Sequence, residues 1–125
     1  MKQLLKGDII YIDLGNKGRT SVQSGLRPCI VIGIYPTSPV ATVAPLTSKM
    51  EKAKIPVHVE ICPDDVMGYL EKKSIILVEQ LTTIDRRKII SKIGHVPEES
   101  EVMKLVDKAV TRQLDIKKTV NESCS

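Results

Sequence analysis

Three segments of this chain combine residue types suited to chemistry on an anion. The first is Gln23-Ser24-Gly25-Leu26-Arg27. Its glycine lets backbone approach a ligand closely, and its arginine offers a planar fork of donors matched to phosphate. A loop arginine paired with a carboxylate is the plainer reading of the same residues. The second is Thr47-Ser48-Lys49, where two hydroxyls and an ammonium follow the strand-like VATVAPL. Those groups suit phosphate oxygens, and they equally suit a hydroxyl-capped turn leaving a strand. The third is Glu79-Gln80, with Thr82 and Thr83, polar residues inside an apolar run that need hydrogen-bond partners if buried. His58 and His95 are far apart in sequence, and His58 reads as a strand histidine on a solvated face.

The elements that must carry these residues are mostly short strands. Residues 8–14, 28–34, 40–46, 55–61, 74–84 and 89–95 are rich in β-branched and aliphatic residues and are separated by turn-forming stretches. The run 28–34 lacks polar alternation, so it reads as a strand buried on both faces, and 74–84 reads as the longest strand. Pro45 has no amide donor, so the third strand is expected to end, bulge or lie at an edge there. Residues 15–26 form a polar loop carrying Lys17 and Arg19, 47–54 a basic connection, and Asp85 to Lys88 a charged corner. Short strands in this order suggest a closed or partly closed antiparallel barrel, which protects its own edges. From Pro97 to Leu114 the spacing turns helical, with Val102, Leu105, Val106, Ala109, Val110 and Leu114 as one apolar stripe and Pro97 in the first turn. Residues 115–125 carry no periodicity and read as a flexible tail behind a single domain over 1–114.

Composition narrows the classes. A chain of 125 residues with 42% hydrophobic and 27% charged residues builds one modest core. The net charge of +4 permits a nucleic-acid partner without a dedicated basic block. Three cysteines with no C-x-x-C pair argue against a disulfide framework or a zinc site, and Cys29 reads as a small core hydrophobe. No apolar run reaches the ~20 residues of a membrane span, and no secretory leader is evident, so a cytoplasmic protein with no membrane association is expected.

Taken together, GDIIYIDL (7–14), SGLRPCIVI (24–32), TVAPLTS (42–48), IPVHVEI (55–61) and ILVEQLTTIDRRKI (76–89), followed by KIG (92–94) and VMKLVDKAV (102–110), resemble the MazF/PemK family of toxin endoribonucleases in order and spacing. The resemblance implies a mainly β fold, an SH3-like antiparallel barrel of the MazF/CcdB kind with a C-terminal helix, assembled as a homodimer. It implies metal-independent, cofactor-free cleavage of single-stranded RNA, usually mRNA, at a short sequence, causing growth arrest. It also implies a MazE-like antitoxin partner, through which alone the toxin would meet DNA. Within the family pattern the catalytic positions fall on Arg27 and Thr47, and an acidic position on Glu79, as a catalytic or Arg27-orienting group. RNA contacts are expected from Lys17, Arg19, Gln23, Ser24, Gly25, Ser48 and Lys49. Two positions depart from the pattern: Leu77 stands where some relatives carry an arginine, and Val22 where many carry an acid. The other class on this barrel is the CcdB-like gyrase poison, whose tryptophan-containing C-terminal tail has no counterpart in this tryptophan-free chain.

Overall fold

A computed structural model describes residues 3–16, 18, 22–50 and 55–117. Eight strands form one curled antiparallel sheet: β1 (Asp8–Asp13), β2 (Leu26–Ile34), β3 (Val40–Thr47), β4 (His58–Ile61), β5 (Met67–Gly68), β6 (Ser74–Leu77), β7 (Thr82–Asp85) and β8 (Ile89–His95). They are ordered β4-β6-β3-β2-β1-β8-β5, with β7 also paired to β3. One helix, α1 (Glu101–Gln113), follows. The outcome is the partly closed barrel with a C-terminal helix expected from the strand pattern.

Alternation along the strands sends side chains to two apolar clusters. Ile9, Ile30, Ala44 and Leu46 join Val59, Ile61 and Ile76 in the cluster covered by α1. Ile10, Ile12, Cys29, Val31 and Val43 build the second with Leu4 and Ile84. The sheet bends where its registers slip, at Ile9/Ile10 and Tyr11/Ile12 of β1 against β8, and at Val31/Gly33 of β2 against β3.

The run 74–84 is not one strand. It breaks into β6, a 3-10 turn over Val78–Gln80, and β7. The break lets one strand take two partners: β7 pairs with Val40–Val43 of β3, and β6 with Leu46 and Thr47. Pro45 lies in the gap between them, so β3 runs on through it to Thr47, and the missing donor falls where neither β6 nor β7 pairs. The two-residue β5 and the 3-10 turn at Pro63–Asp65 lie between β4 and β6.

The helix starts later than its proline. Ser100 is the N-cap, its Oγ accepting the Met103 amide at 3.3 Å, and Pro97 lies outside the helix. Val102, Val106 and Ala109 are buried as expected, but the stripe turns toward Met103, which is fully buried, leaving Leu105 and Leu114 exposed. The helix packs along β4 and the Val78–Gln80 turn, while Lys6 Nζ meets Asp107 at 2.8 Å across its outer face. Cys29 and Cys62 are free thiols. Among the described residues no helix is long and apolar enough to cross a membrane.

Candidate functional site

The β2–β3 register pairs Val31 with Val43, Ile30 with Ala44 and Cys29 with Pro45. Carried two residues further, it sets Arg27 opposite Thr47, so both side chains leave the same face of neighbouring strands. Arg27 stands inside β2, one residue past its start, and pairs with Ile12 of β1 on the other side. Its guanidinium is tethered by two backbone carbonyls: Nε donates to Ser24 O at 3.2 Å and Nη1 to Leu46 O at 3.4 Å. No ion pair neutralises it among the described residues. The head group is therefore oriented without losing its charge.

Arg27 and Thr47 line one cleft of about 250 Å3. Its walls include Tyr11 from β1, Pro28 and Leu46, Ser48 beyond β3, and the segment Tyr69 to Lys72 with Ser74. Thr47 is 4% exposed, and its Oγ1 accepts the Lys49 amide at 3.2 Å, the hydroxyl-capped turn expected for this segment. That bond occupies an acceptor lone pair and leaves the hydroxyl hydrogen to donate. Beneath Arg27, burial pushes the Cys29 thiol up to about 12, against a smaller opposing pull from the guanidinium. The strand holding the arginine is thus anchored in dry, aliphatic surroundings.

The loop before Arg27 is pinned at three points. Leu14 N donates to Gly25 O and Gly25 N to Gly15 O, both at 2.9 Å. Gly25 adopts a φ of +75°, with nothing within 4 Å of the place a Cβ would occupy, so its glycine serves backbone conformation. Gln23 N donates to Gln80 Oε1 at 2.7 Å, tying the loop to the Val78–Gln80 turn. Of the expected RNA contacts, Ser48 lines the cleft, Lys49 is exposed beside it, and Ser24 supplies a carbonyl to Arg27. Gln23 and Gly25 shape the loop, whereas Lys17 and Arg19 lie outside the described residues.

Glu79 is engaged elsewhere. Its Oε2 lies 2.7 Å from His58 Nε2, and it makes no hydrogen bond or ion pair with Arg27 among the described residues. The His58 side chain is only 6% exposed, so it is not on a solvated face. His58 and Glu79 instead link β4 to the Val78–Gln80 turn. Sequence reasoning missed Tyr11, Tyr69, Glu71, Lys72 and Ser74 as cleft residues. The signal available for Tyr69 was the scarcity of aromatics in a chain with three tyrosines and no phenylalanine or tryptophan.

The fold is a curled antiparallel half-barrel with one C-terminal helix, and one of its clefts is lined by both an unneutralised arginine and a threonine hydroxyl, groups of the kind that suit an anion. The comparisons give its family. The PemK-like, MazF-like toxin of type II toxin-antitoxin system family matches residues 5–114, and the chain belongs to it. "Endoribonuclease EndoA" of Bacillus subtilis (strain 168) is 40% identical over 109 residues, covering 84% of this chain and 89% of that protein. The fold agrees with a mycobacterial "Endoribonuclease in complex with its cognate antitoxin", TM-score 0.73 at 17% identity over 93% of this chain and 99% of the other. It also agrees with MazF from Deinococcus radiodurans, TM-score 0.71 at 16% identity over 93% and 100% of the two chains.

Proposed function

We propose that this chain is a metal-independent endoribonuclease that cuts single-stranded RNA, mRNA included, at a short sequence, as the toxin of a toxin–antitoxin pair. What carries the reading is that Arg27 and Thr47, on adjacent strands, line one cleft in a chain of this toxin family. The 40% identical relative named an endoribonuclease supports the reaction type. A relative solved with its cognate antitoxin supports an antitoxin partner. A homodimer in the cytoplasm belongs to the same reading.

RNA carries its own nucleophile, which is how cleavage proceeds without a metal. The 2′-oxygen loses its proton and bonds to the adjacent phosphorus, and the bond from phosphorus to the 5′-oxygen breaks. The 5′-oxygen then takes a proton, leaving a 2′,3′-cyclic phosphate and a 5′-hydroxyl. Negative charge grows on the phosphate oxygens on the way. Arg27 faces that charge with donors held in place by the Ser24 and Leu46 carbonyls, so little reorganisation is needed as the charge develops. Thr47 donates its hydroxyl hydrogen to a non-bridging oxygen, its orientation set by the Lys49 amide. Removing one preorganised donor of this kind costs on the order of 10²–10³ in rate. Incubating the protein with a long single-stranded RNA in excess EDTA tests the reading: discrete cleavage is expected, and uncut RNA refutes it.

A further inference from the structure

On the proposed reading the cleft grips a phosphate, but Arg27 and Thr47 say nothing about how it would hold a base. We infer that Tyr69 is the stacking platform for a nucleotide base next to the scissile phosphate, an inference that rests on the endoribonuclease reading. Three aromatic residues exist in the chain, and two of them, Tyr11 and Tyr69, line the cleft that holds Arg27 and Thr47. Tyr11 is half-buried, whereas Tyr69 is 60% exposed. Among the described residues the Tyr69 hydroxyl has no hydrogen-bond partner.

An exposed ring is ordinarily mobile, but the backbone under this one is not free to move. Tyr69 N donates to Ile93 O at 2.8 Å. On one side, Gly68 has a φ of +114° and sits so close to β8 that a Cβ there would meet Ile93 O at 2.7 Å and Gly94 Cα at 2.8 Å. On the other side, Leu70 is 8% exposed and belongs to the core cluster under α1. The ring therefore projects from two fixed points, which leaves little backbone freedom to lose when a ligand binds. Unpaired RNA bases seek such faces, because every base offers a π-surface whatever its hydrogen-bonding edge. A single exposed apolar residue needs no function in general. This one stands in the same cleft as the phosphate grip, on an immobilised backbone.

The absence of tryptophan gives a direct readout, since tyrosine emission is unmasked. The probe is a short single-stranded RNA carrying the mapped cleavage sequence with 2′-fluoro sugars, which keeps bases and phosphates but lacks the nucleophile. Binding should quench emission in the wild type, in Tyr35→Phe and in Tyr11→Phe. Tyr69→Phe should bind with wild-type affinity and lose the quench, because phenylalanine stacks but emits weakly. Tyr69→Ala should weaken binding, and raise KM for cleavable RNA, roughly ten- to a hundredfold with kcat nearly unchanged. Wild-type affinity in Tyr69→Ala overturns the inference, as does a quench that survives in Tyr69→Phe. An altered oligomeric mass of Tyr69→Ala with unchanged RNA affinity also overturns it, reassigning the ring to a protein interface. Arg27→Ala on the cleavable RNA separates the two levels. If cleavage needs Arg27 but binding ignores Tyr69, only the stacking platform falls; if cleavage ignores Arg27, the reading beneath it falls.

Discussion

Raising the pH probes the strand that anchors Arg27. Cys29 is fully buried in β2, and burial lifts its thiol from the ordinary 9.0 to about 12. Between those values the unfolded chain gives up this proton while the folded chain keeps it. The folded state then binds more protons, so stability falls as pH rises through this window and is untouched below it. One pKa unit corresponds to about 1.4 kcal/mol, so the loss reaches about 3 kcal/mol by about pH 11 and approaches 4 kcal/mol beyond pH 12. The assay is urea unfolding of wild type and Cys29→Ala from about pH 8 to about pH 11. The substitution carries its own pH-independent cost of about 1–2 kcal/mol for the vacated volume. Lysines and tyrosines titrate equally in both proteins and cancel in the difference. Wild type should therefore lead at pH 8 and fall behind at pH 11. Two stability curves that run parallel across the range would refute the reasoning.

The phase of the helix stripe gives a second test. Met103→Ala should cost about 2–5 kcal/mol, because that side chain is fully buried in the core cluster, while Leu105→Ala, exposed on the outer side, should stay within about 1 kcal/mol; urea unfolding of the two variants checks the contrast. Gly68→Ala places a Cβ against Ile93 O and Gly94 Cα in a left-handed conformation, so it should cost at least about 1–3 kcal/mol in unfolding free energy and weaken RNA binding through Tyr69. An unchanged midpoint for Gly68→Ala would mean that β5 is not pinned to β8.

Much of the sheet was legible because β1, β3 and β8 carry β-branched runs bounded by glycine, proline or charge, signals that act within a few residues. The 74–84 run misled for the opposite reason. Its aliphatics continue on both sides of Glu79-Gln80, and only the change of partner along β3 makes a turn there necessary. Those two polar residues were the one local sign of the break, and each finds a partner across the fold, Glu79 Oε2 at His58 and Gln80 at the Gln23 amide, while Glu79 Oε1 is buried without one among the described residues. The short β5 left no pattern at all, since it rests on a close backbone contact between Gly68 and β8. The helix was legible, but its rotation was not: Met103 rather than Leu105 faces the core because of where α1 sits on β4, a tertiary matter. Arg27 and Thr47 were recognisable as residue types, yet their sharing of one cleft depends on a register between strands that the local sequence does not record. The wall from Tyr69 to Lys72 went unseen because exposed connecting residues carry no periodicity, and Ser74 stood out only as the first residue of the run 74–84.

In the proposed reaction Arg27 and Thr47 serve attack by the RNA's own 2′-hydroxyl. The most direct measurement is the chemistry of the ends produced from a long single-stranded RNA in EDTA, by wild type, Arg27→Ala and Thr47→Ala. Wild type should yield 2′,3′-cyclic phosphate and 5′-hydroxyl ends, with rates lower by on the order of 10²–10³ in each variant, while Thr47→Ala, which removes the acceptor of the Lys49 amide, costs no more than about 1–3 kcal/mol of stability and stays folded. Ends bearing a 5′-phosphate, or wild-type rates in Arg27→Ala, would contradict this reaction.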